Sequence, residues 1–404
     1  MTTTTAITNA RIFDGERVID DQDVIIDGTR ILAVGGAVPV GATVINAGGG
    51  TLLPGLIDSH VHTDMNGLHD ALLFGVTTEL EMQGHWTFKK RKEIAERDDV
   101  ADLRSSGMGV TPPGGHPSQY MKSSASLLMK LFFRFPFVST PAEAIDFVDT
   151  QVANGADYIK IFIEDGTTIG FPGLRATSDE TLIAAVNEAH RHGKMAIAHV
   201  TTVEGGKKAI SAGVDGLAHL FFDRQPAAEL VAAIASSGSF VTPTLVTLSS
   251  AFGNSAAAIA ADERVRARLS DKWLDSLSRS MNVYPQGKLN DAYASVMALR
   301  NAGVDILAGS DVSEPLPFLG GLAHGASLHH ELQLLVAAGL TPVEALRAAT
   351  SVPACRFGLV DRGRIAPGAR ADLLLVRGDP TTRIADTLSI RSIWRRGAMV
   401  HSSE

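Results

Sequence analysis

The sequence predicts an α/β protein, a (β/α)8 TIM-like barrel with a small β-sandwich domain formed by the N- and C-terminal segments. Between residues 54 and 355, short apolar strand patterns alternate with helical patterns, which indicates a parallel sheet, and eight such units indicate a barrel. Residues 1–53 and 356–404 instead carry short strand patterns separated by Gly and Pro turns. We expect these two end segments to form one domain together, because neither has enough strands to enclose a core alone.

The strand candidates of the barrel are, in chain order, residues 55–62, 76–82, 108–111, 158–163, 195–200, 216–221, 240–245 and 305–311. The helical patterns between them cover residues 143–154, 179–192, 204–212, 227–236 and 291–302. The long stretch 247–286 is mostly helical in pattern, and we expect it to cover the mouth of the barrel. The carboxyl ends of the strands face the active site in such barrels, so polar residues at those ends are the first candidates for function.

The composition is that of an ordinary globular protein, because 45% of the 404 residues are hydrophobic and 20% are charged. The net charge is −8 and no block of Lys and Arg stands out, so we expect no nucleic-acid surface. Cys355 is the only cysteine, which excludes an intramolecular disulfide and a thiolate metal cluster. We expect its thiol to pack in the core.

The sequence gives no indication of a membrane or secretory segment. The N-terminus lacks a basic start followed by an apolar stretch, so we expect no signal peptide. The most hydrophobic loop-like segment, residues 127–138, contains Lys130, Arg134 and Pro136 and is too short and too charged to span a bilayer. We therefore expect a cytoplasmic protein that acts on a small molecule, without a membrane partner and as a homo-oligomer.

Polar side chains that a core would not select occur at the ends of five predicted strands. His60 and His62 are two residues apart, so in a strand both imidazoles point to the same face. Each residue has an ordinary alternative: a lone His can be only hydrogen-bonded, a Lys can extend to solvent, and an Asp can cap a helix. Their convergence on one rim favours a functional site formed by His60, His62, Lys160, His199, His219 and Asp311.

The donor types in this set are those of a divalent metal site. Neutral imidazoles and carboxylates bind Zn, Mn, Fe or Ni. Four His and one Asp exceed what a single four-coordinate zinc needs, so we expect two divalent ions, with Zn²⁺ as the expected metal. A charged amine beside two dications would be repelled. We therefore expect Lys160 to be neutral or N6-carboxylated, because carbon dioxide adds to a deprotonated lysine.

These motifs resemble the metal-dependent amidohydrolase superfamily in its binuclear branch, and the resemblance covers nearly the whole chain. The similar segments are Pro-Gly-Leu-Ile-Asp-Ser-His-Val-His at 54–62, Tyr-Ile-Lys-Ile at 158–161, His199, His219, Gly-Ser-Asp at 309–311, and 363–376. The resemblance implies that His60, His62 and Asp311 hold the more buried ion and that His199 and His219 hold the outer one. It also implies that carboxylated Lys160 and a hydroxide bridge the ions, and that Asp311 accepts the proton of the attacking water.

Within the superfamily the chain is similar to the imidazolonepropionase-related group, which includes prolidase-like dipeptidases and ochratoxin amidases. The similar features are Thr-Pro-Pro-Gly-Gly-His-Pro at 111–117 and the segment from His330 to Leu346. This resemblance implies that His116 contacts the carbonyl or carboxylate of the substrate; alternatively, residues 114–117 form only a tight turn. Residues 164–167 depart from the Gly-rich loop usual in that group, so its substrate preference is not carried over.

Other polar residues near the strand ends remain candidates. We expect Asp223 and Tyr120 to contact the substrate. Glu79, Glu81 and His85 either enter the pocket or pack beside it, and the pair of acids at 164–165 is an alternative acidic feature of the site. We expect His190 and His192 to be structural because they lie near a helix end. The roles of His324, His329 and His330 stay open, although one of them could line the site.

The resulting functional hypothesis is a hydrolase that cleaves an amide-type C–N bond with a metal-bridging hydroxide. The candidate substrates are N-acyl amino acids, dipeptides and related small amides. The same chemistry would also serve for a lactone, a cyclic amide or a phosphotriester. A non-catalytic metal-binding scaffold is the alternative of another class, but Asp311 argues against it because a scaffold needs no general base. We expect residues 107–138 to line the pocket and the apolar stretch 127–138 to hold an apolar group of the substrate.

Overall fold

The computed structural model describes residues 4–120 and 136–402. Its strands are β1 (Thr5–Phe13), β2 (Val18–Asp27), β3 (Arg30–Val34), β4 (Thr43–Asn46), β5 (Thr51–Pro54), β6 (Leu56–Val61), β7 (Val76–Glu81), β8 (Asp102–Ser105), β9 (Ile159–Ile163), β10 (Ala196–Val200), β11 (Gly216–Ala218), β12 (Phe240–Thr242), β13 (Leu373–Val376), β14 (Ile390–Arg395) and β15 (Ala398–Ser402). Its α-helices are Met65–Leu72, Phe88–Ala95, Pro141–Ala153, Asp179–Arg191, Val203–Ser211, Ala228–Ser237, Leu245–Ala251, Ala257–Ala261, Glu263–Arg266, Asp271–Ser278, Leu289–Asn301, Ala326–Ala338, Pro342–Ala348 and Ser351–Arg356, with a 3-10 helix at Ile384–Leu388. The predicted mixed α/β class is confirmed.

The central part of the chain forms two parallel sheets, β6-β7-β8 and β9-β10-β11-β12. Single parallel bridges continue the pairing beyond the ladders, at Val110 with Ile161, at Val241 with Ile306, and at Val61 with Val312. Because parallel strands end at the same edge, the carboxyl ends of β6, β9, β10 and β11 deliver their following residues to one region.

Two of the predicted strands differ from the structure. The third strand lies at Asp102–Ser105 rather than at 108–111, where only Val110 makes a bridge. Its sequence, Asp-Leu-Arg-Ser, lacks an apolar run because its charged residues are paired inside the protein. The segment 305–311 is not a strand; it makes one isolated bridge at Ile306, and a second bridge follows it at Val312. The region 247–286 is mostly helical, as predicted.

Both ends of the chain contribute to one further sheet, with the strand order β15-β14-β13-β5-β1-β2-β3 and with β4 paired to β1. The two ends meet where β5 pairs antiparallel with β13, for example at Leu52 opposite Leu375. A single apolar cluster includes residues from both ends, among them Ile12, Leu52, Leu373 and Trp394. Neither end segment therefore completes this cluster alone.

The environment of Cys355 differs from the expectation. Cys355 is exposed, so the prediction of a core-packing thiol is wrong; the helix Ser351–Arg356 buries Pro353 and Ala354 and leaves the cysteine on its outer side.

Of the apolar stretch 127–138, residues 127–135 lie outside the described part of the chain, and Val138 is buried. No helix within residues 4–120 and 136–402 is both long enough and apolar enough to cross a membrane.

A buried network of charges connects the end segment to the β7–β8 region. Asp102 pairs with Arg362 and, at 3.1 Å, with Arg370. Arg370 also pairs with Asp372. Burial opposes the ionisation of Asp102, but the nearby arginines, Arg362 foremost, hold its pKa well below the ordinary value. The carboxylate therefore stays charged and neutralises cations that would otherwise be buried without a partner.

Replacing Asp102 with alanine should destabilise the protein by about 3–5 kcal/mol, because the buried guanidinium groups of Arg362 and Arg370 would lose the carboxylate between them. The measurement is urea-induced unfolding of the variant and the parent. Asp99→Ala is the control, since this exposed residue pairs with Arg97 on the surface and should cost no more than ~1 kcal/mol. Similar losses in the two variants would contradict the structural role of the buried network.

Candidate metal and active site

Eight of the predicted site residues line one cavity of about 420 Å³ at the carboxyl ends of the parallel strands. The strand geometry explains this convergence, because Lys160 on β9 and His199 on β10 lie two residues after the core residues Tyr158 and Ile197, on the same face of the sheet. The predicted residues in the cavity are His60, His62, His116, Tyr120, Lys160, His199, His219 and Asp311.

His60, His62 and Asp311 form the tightest group of possible ligands. Asp311 Oδ1 lies 3.3 Å from Nε2 of His60 and 3.3 Å from Nε2 of His62. One ligand atom from each of the three residues lies within 4.8 Å of the others, close enough for one ion to contact all three. His60 is fully buried, and neither of its ring nitrogens has a hydrogen-bond partner among residues 4–120 and 136–402. A metal ion would give this buried ring a partner.

A buried carboxylate below this group fixes its geometry. Asp58 accepts hydrogen bonds from the Ser310 N–H at 2.9 Å, from the Ser310 hydroxyl at 2.6 Å and from the His60 N–H at 3.2 Å. It thus connects β6, which delivers His60, to the segment that delivers Asp311. Burial raises the pKa of Asp58 to about 7. The sequence analysis missed this residue, although an Asp inside an apolar run was the available signal.

His199 and His219 form the second group, with ring centroids 4.6 Å apart. His199 Nε2 lies 3.0 Å from the buried carboxylate of Glu164, and His219 Nδ1 lies 2.9 Å from the Thr244 hydroxyl. One nitrogen of each ring is therefore held by a neighbour, which orients the ring and leaves the other nitrogen as a ligand. Asp311 Oδ2 lies 3.9 Å from His219 Nδ1, so this carboxylate adjoins both groups.

Lys160 is a buried lysine without a counter-charge in contact. Its side chain is almost fully buried, and its Nζ has no hydrogen-bond partner within the described residues. Burial lowers the pKa of Lys160 to about 7, so a large fraction of the amine is neutral at physiological pH. A neutral amine is the form that reacts with carbon dioxide, so its environment fits the predicted carboxylation.

The protonation states of the other groups also suit cations. Burial lowers the pKa of His60 and of His199 to about 3 and that of His219 well below its ordinary value, so these imidazoles are neutral. Burial opposes ionisation of Asp311, but His219 and His60 hold its pKa well below the ordinary value. Neutral imidazoles beside a carboxylate are metal ligands, and the residues present therefore fit a divalent metal site.

The backbone is strained at two of these residues and at a neighbour. Asp311 has a φ of 56°, His219 a φ of 72° and Thr244 a φ of 48°, all in the left-handed region that non-glycine residues rarely adopt. Such conformations persist only where surrounding contacts hold them, and they are concentrated at functional sites. The hydrogen bond between His219 and Thr244 joins two of these strained residues.

His116 and Tyr120 lie on the wall of the cavity beside the second group. The His116 ring stacks on His199 with centroids 4.7 Å apart, and its Nδ1 lies 2.6 Å from Gln119 Nε2. Burial lowers the pKa of His116 well below its ordinary value, so its ring is neutral. Tyr120 lies edge-on to His116, and burial raises the pKa of its hydroxyl to about 12. Both side chains are placed to meet a substrate.

The structure does not bring Asp223 to the cavity, contrary to the expectation of a substrate contact. Its carboxylate accepts a hydrogen bond from the Val203 N–H at 3.0 Å, at the start of the helix Val203–Ser211, and pairs with Arg224 at 2.6 Å. A carboxylate at this position satisfies a free N–H of the helix. The spacing of four residues after His219 was a misleading signal, because the chain still lines the cavity at Phe222 but the Asp223 carboxylate is held at the start of the helix.

The remaining acidic and histidine candidates do not line this cavity, although Glu81, His85 and His324 line a neighbouring pocket that shares His62 and Gln83 with it. Glu81 accepts from Ser105 and Trp86, Glu79 pairs with His324 at 3.3 Å, and His85 lies outside the cavity. His190 pairs with Asp215 and His192 with Asp149, as expected for structural residues. His329 contacts the Phe74 carbonyl. His330 is partly buried and does not line the cavity.

Lining residues that sequence reasoning did not single out come mainly from loops. Gln83 follows β7, Trp273 lies in the helix Asp271–Ser278, and Glu314 and Phe318 follow Asp311. Glu164 was considered only as an alternative acidic feature, and its contact with His199 places it behind the site instead. No periodic pattern marks these positions, because each reaches the cavity through the course of a loop.

Comparisons with known proteins agree with this geometry. Residues 51–400 match the amidohydrolase family. An uncharacterized protein of Mycobacterium tuberculosis (strain ATCC 25618 / H37Rv) is 25% identical over 342 residues, which cover 82% of this chain and 80% of that protein. A solved Xaa-Pro dipeptidase with bound methionine in its active site has a TM-score of 0.77 at 20% identity, covering 99% of this chain and 100% of the other. A. niger ochratoxinase has a TM-score of 0.74 at 20% identity, covering 99% and 96%. These structures share the fold.

Proposed function

Because the chain belongs to the amidohydrolase family, we propose that it is a metal-dependent hydrolase that cleaves an amide-type C–N bond of a small molecule. The observation that carries the proposal is one cavity in which the imidazoles of the two ligand groups, a buried lysine and a carboxylate meet. The neighbours named as a dipeptidase and an ochratoxinase support a small-molecule substrate. Asp311 favours hydrolysis over a purely structural metal site, because it can also move a proton.

The two groups of side chains suit two divalent ions, with Zn²⁺ as the proposed metal. His60, His62 and Asp311 would hold one ion, and His199 and His219 would hold the other. Lys160, carboxylated on its amine, would contribute an anionic oxygen to both. When bound, such a pair of ions lowers the pKa of a water molecule toward ~7 and polarises the carbonyl of the substrate.

The residues of the chain then have separate tasks. Asp311 accepts the proton of the attacking water and passes it to the leaving nitrogen. His116, as a neutral ring, donates a hydrogen bond to a substrate oxygen, and the protonated Tyr120 hydroxyl is a second donor. Asp58, Glu164 and Thr244 hold the ligand-bearing segments in place through the hydrogen bonds described above.

We also infer that the two parallel sheets belong to one (β/α)8 barrel of residues 54–355, and that residues 1–53 and 356–404 form one β-sandwich domain. The bridges of Val61 with Val312, of Val110 with Ile161 and of Val241 with Ile306 support the barrel, because they link the sheets in a cyclic order. The apolar cluster shared by both ends of the chain supports the second unit.

Elemental analysis and a substrate screen test the proposal together. After gentle purification we expect about two divalent ions per chain, since the site offers ligands for a binuclear centre. The metal-loaded protein should release amine from N-acyl amino acids, dipeptides or simple amides faster than it hydrolyses matched lactones and phosphotriesters. A metal content near zero after incubation with zinc or manganese would contradict the metal site. Bound metal without turnover of any compound would instead favour a scaffold.

A further inference from the structure

Two aromatic rings, Tyr120 and Phe318, line the outer part of the cavity, and a third ring, Phe171, contacts Tyr120. Tyr120 and Phe318 lie nearly parallel, with centroids 5.6 Å apart and planes at 11°. Phe171 meets Tyr120 edge-on, with centroids 5.6 Å apart and planes at 87°. We call these three residues the aromatic wall. Tyr120 also contacts His116 edge-on, so the wall continues inward to the stacked pair of His116 and His199.

The aromatic wall leaves apolar surface in contact with solvent. Phe318 is 38% exposed and Phe171 is 41% exposed, whereas most large apolar side chains of the described chain are buried. Deeper in the cavity the surface stays apolar at Met281, Leu316 and Leu322. Exposed apolar surface that continues into a concave site is typical of a ligand-binding surface. The shape and chemistry suit a flat apolar group that extends from the metal site toward the mouth.

The charges in the cavity disfavour an anionic substrate group near the wall. Among the described residues that line the cavity, Glu314 is the one charged side chain outside the candidate metal ligands. It is exposed, and it has no ion pair within residues 4–120 and 136–402. A free carboxylate on the substrate would lie near the Glu314 carboxylate. Apart from Lys160, the described lining contains no lysine or arginine that could pair with it. Repulsion between like charges therefore selects against carboxylated substrates.

We propose that the aromatic wall binds an aromatic ring of the substrate that carries no negative charge, so that the preferred substrates are aryl amides such as anilides without a carboxylate. N-acyl amino acids with a free carboxylate are then poor substrates. Aromatic rings pack edge-to-face or offset-stacked at centroid distances that the wall already presents. This inference rests on the proposed function and names its substrate class.

Direct binding separates the aromatic wall from catalysis. A neutral aryl ketone that mimics the amide but cannot be hydrolysed is titrated calorimetrically into the metal-loaded protein. Phe318→Ala should raise its Kd by about tenfold, the usual scale for losing a ring contact. Phe88→Ala is the matched control, because Phe88 is also exposed but lies on the helix Phe88–Ala95 and does not line the cavity. Equal Kd values for the two variants would overturn the inference.

Three anilides that differ only in the para substituent test the charge selection: unsubstituted, carboxylate and trimethylammonium. The carboxylate compound should have the lowest kcat/KM, and Glu314→Gln should reduce the discrimination against it about threefold or more. A carboxylate compound that is hydrolysed as well as the other two would overturn the charge selection. Amide hydrolysis without any aryl preference would overturn this inference and leave the proposed function standing. Binding that depends on Phe318 without hydrolysis of any amide would overturn the proposed function and leave the binding role of the aromatic wall standing.

Discussion

Lys160→Ala is expected to abolish turnover and to remove most of the bound metal. The amine of Lys160 is buried among the strands that carry the candidate ligands, and its carboxylated form would supply an anionic ligand to the metal site. Its loss removes an anionic ligand and leaves the imidazoles with two unbalanced dications. Metal per chain and initial rates on an amide substrate are the measurements, and a short carboxylic acid added to the variant should restore part of both.

Two further variants test whether Lys160 acts as a carboxylated ligand. Lys160→Arg keeps a long cationic side chain but cannot be neutral or carboxylated at physiological pH, so it should be as inactive as the alanine variant. Lys207→Ala removes an exposed lysine that pairs with Glu204 on the surface and should behave as the parent. An active Lys160→Arg enzyme would refute the bridging role.

Asp311→Asn should lower turnover by about a hundredfold or more, the usual scale for losing an acid–base group. Asparagine keeps the shape and an oxygen ligand, so metal content should fall much less than turnover. The amide cannot accept the proton of the attacking water. The relevant measurements are kcat under saturating substrate and metal per chain, made on the same preparation.

Asp305→Asn provides the control on the same segment of the chain. Asp305 pairs with Arg356 near the surface, at 2.6 Å, and does not line the cavity. Its variant should retain the parent's turnover. Activity of Asp311→Asn within a few-fold of the parent would mean that another residue is the base.

The residues that meet in the cavity could be predicted because their signals are local. His60 and His62 share a face by strand periodicity, and Lys160 interrupts an aliphatic run, so each is conspicuous in its own segment. The parallel order of the strands then places them together. In contrast, β8 escaped detection because Asp102 and Arg104 replace the expected apolar run, and the partners of Asp102, Arg362 and Arg370, lie more than two hundred residues away in the sequence.

The supporting shell of the site could not be predicted in the same way. Thr244 reaches His219 because its backbone adopts a left-handed conformation, which no sequence pattern indicates. Glu164 reaches His199 from the end of β9, although its neighbour Asp165 bonds only within its own loop, to Thr167. Asp223 looked equivalent to these residues in sequence but caps a helix. Such differences arise from the paths of loops, which depend on long-range packing.

The pairing of β5 with β13 has a consequence for how the protein is made. During synthesis, Leu52 leaves the ribosome roughly 320 residues before its partner Leu375, which at about 5–20 residues per second corresponds to roughly 15–65 s. Throughout that interval the apolar face of the first strands is without the C-terminal half of its cluster, including Leu373 and Trp394. The nascent chain therefore carries an incomplete sheet for most of its translation. Loss of the last strands would deprive the first strands of their partners, so a late stop codon would damage the earliest-made part of the protein.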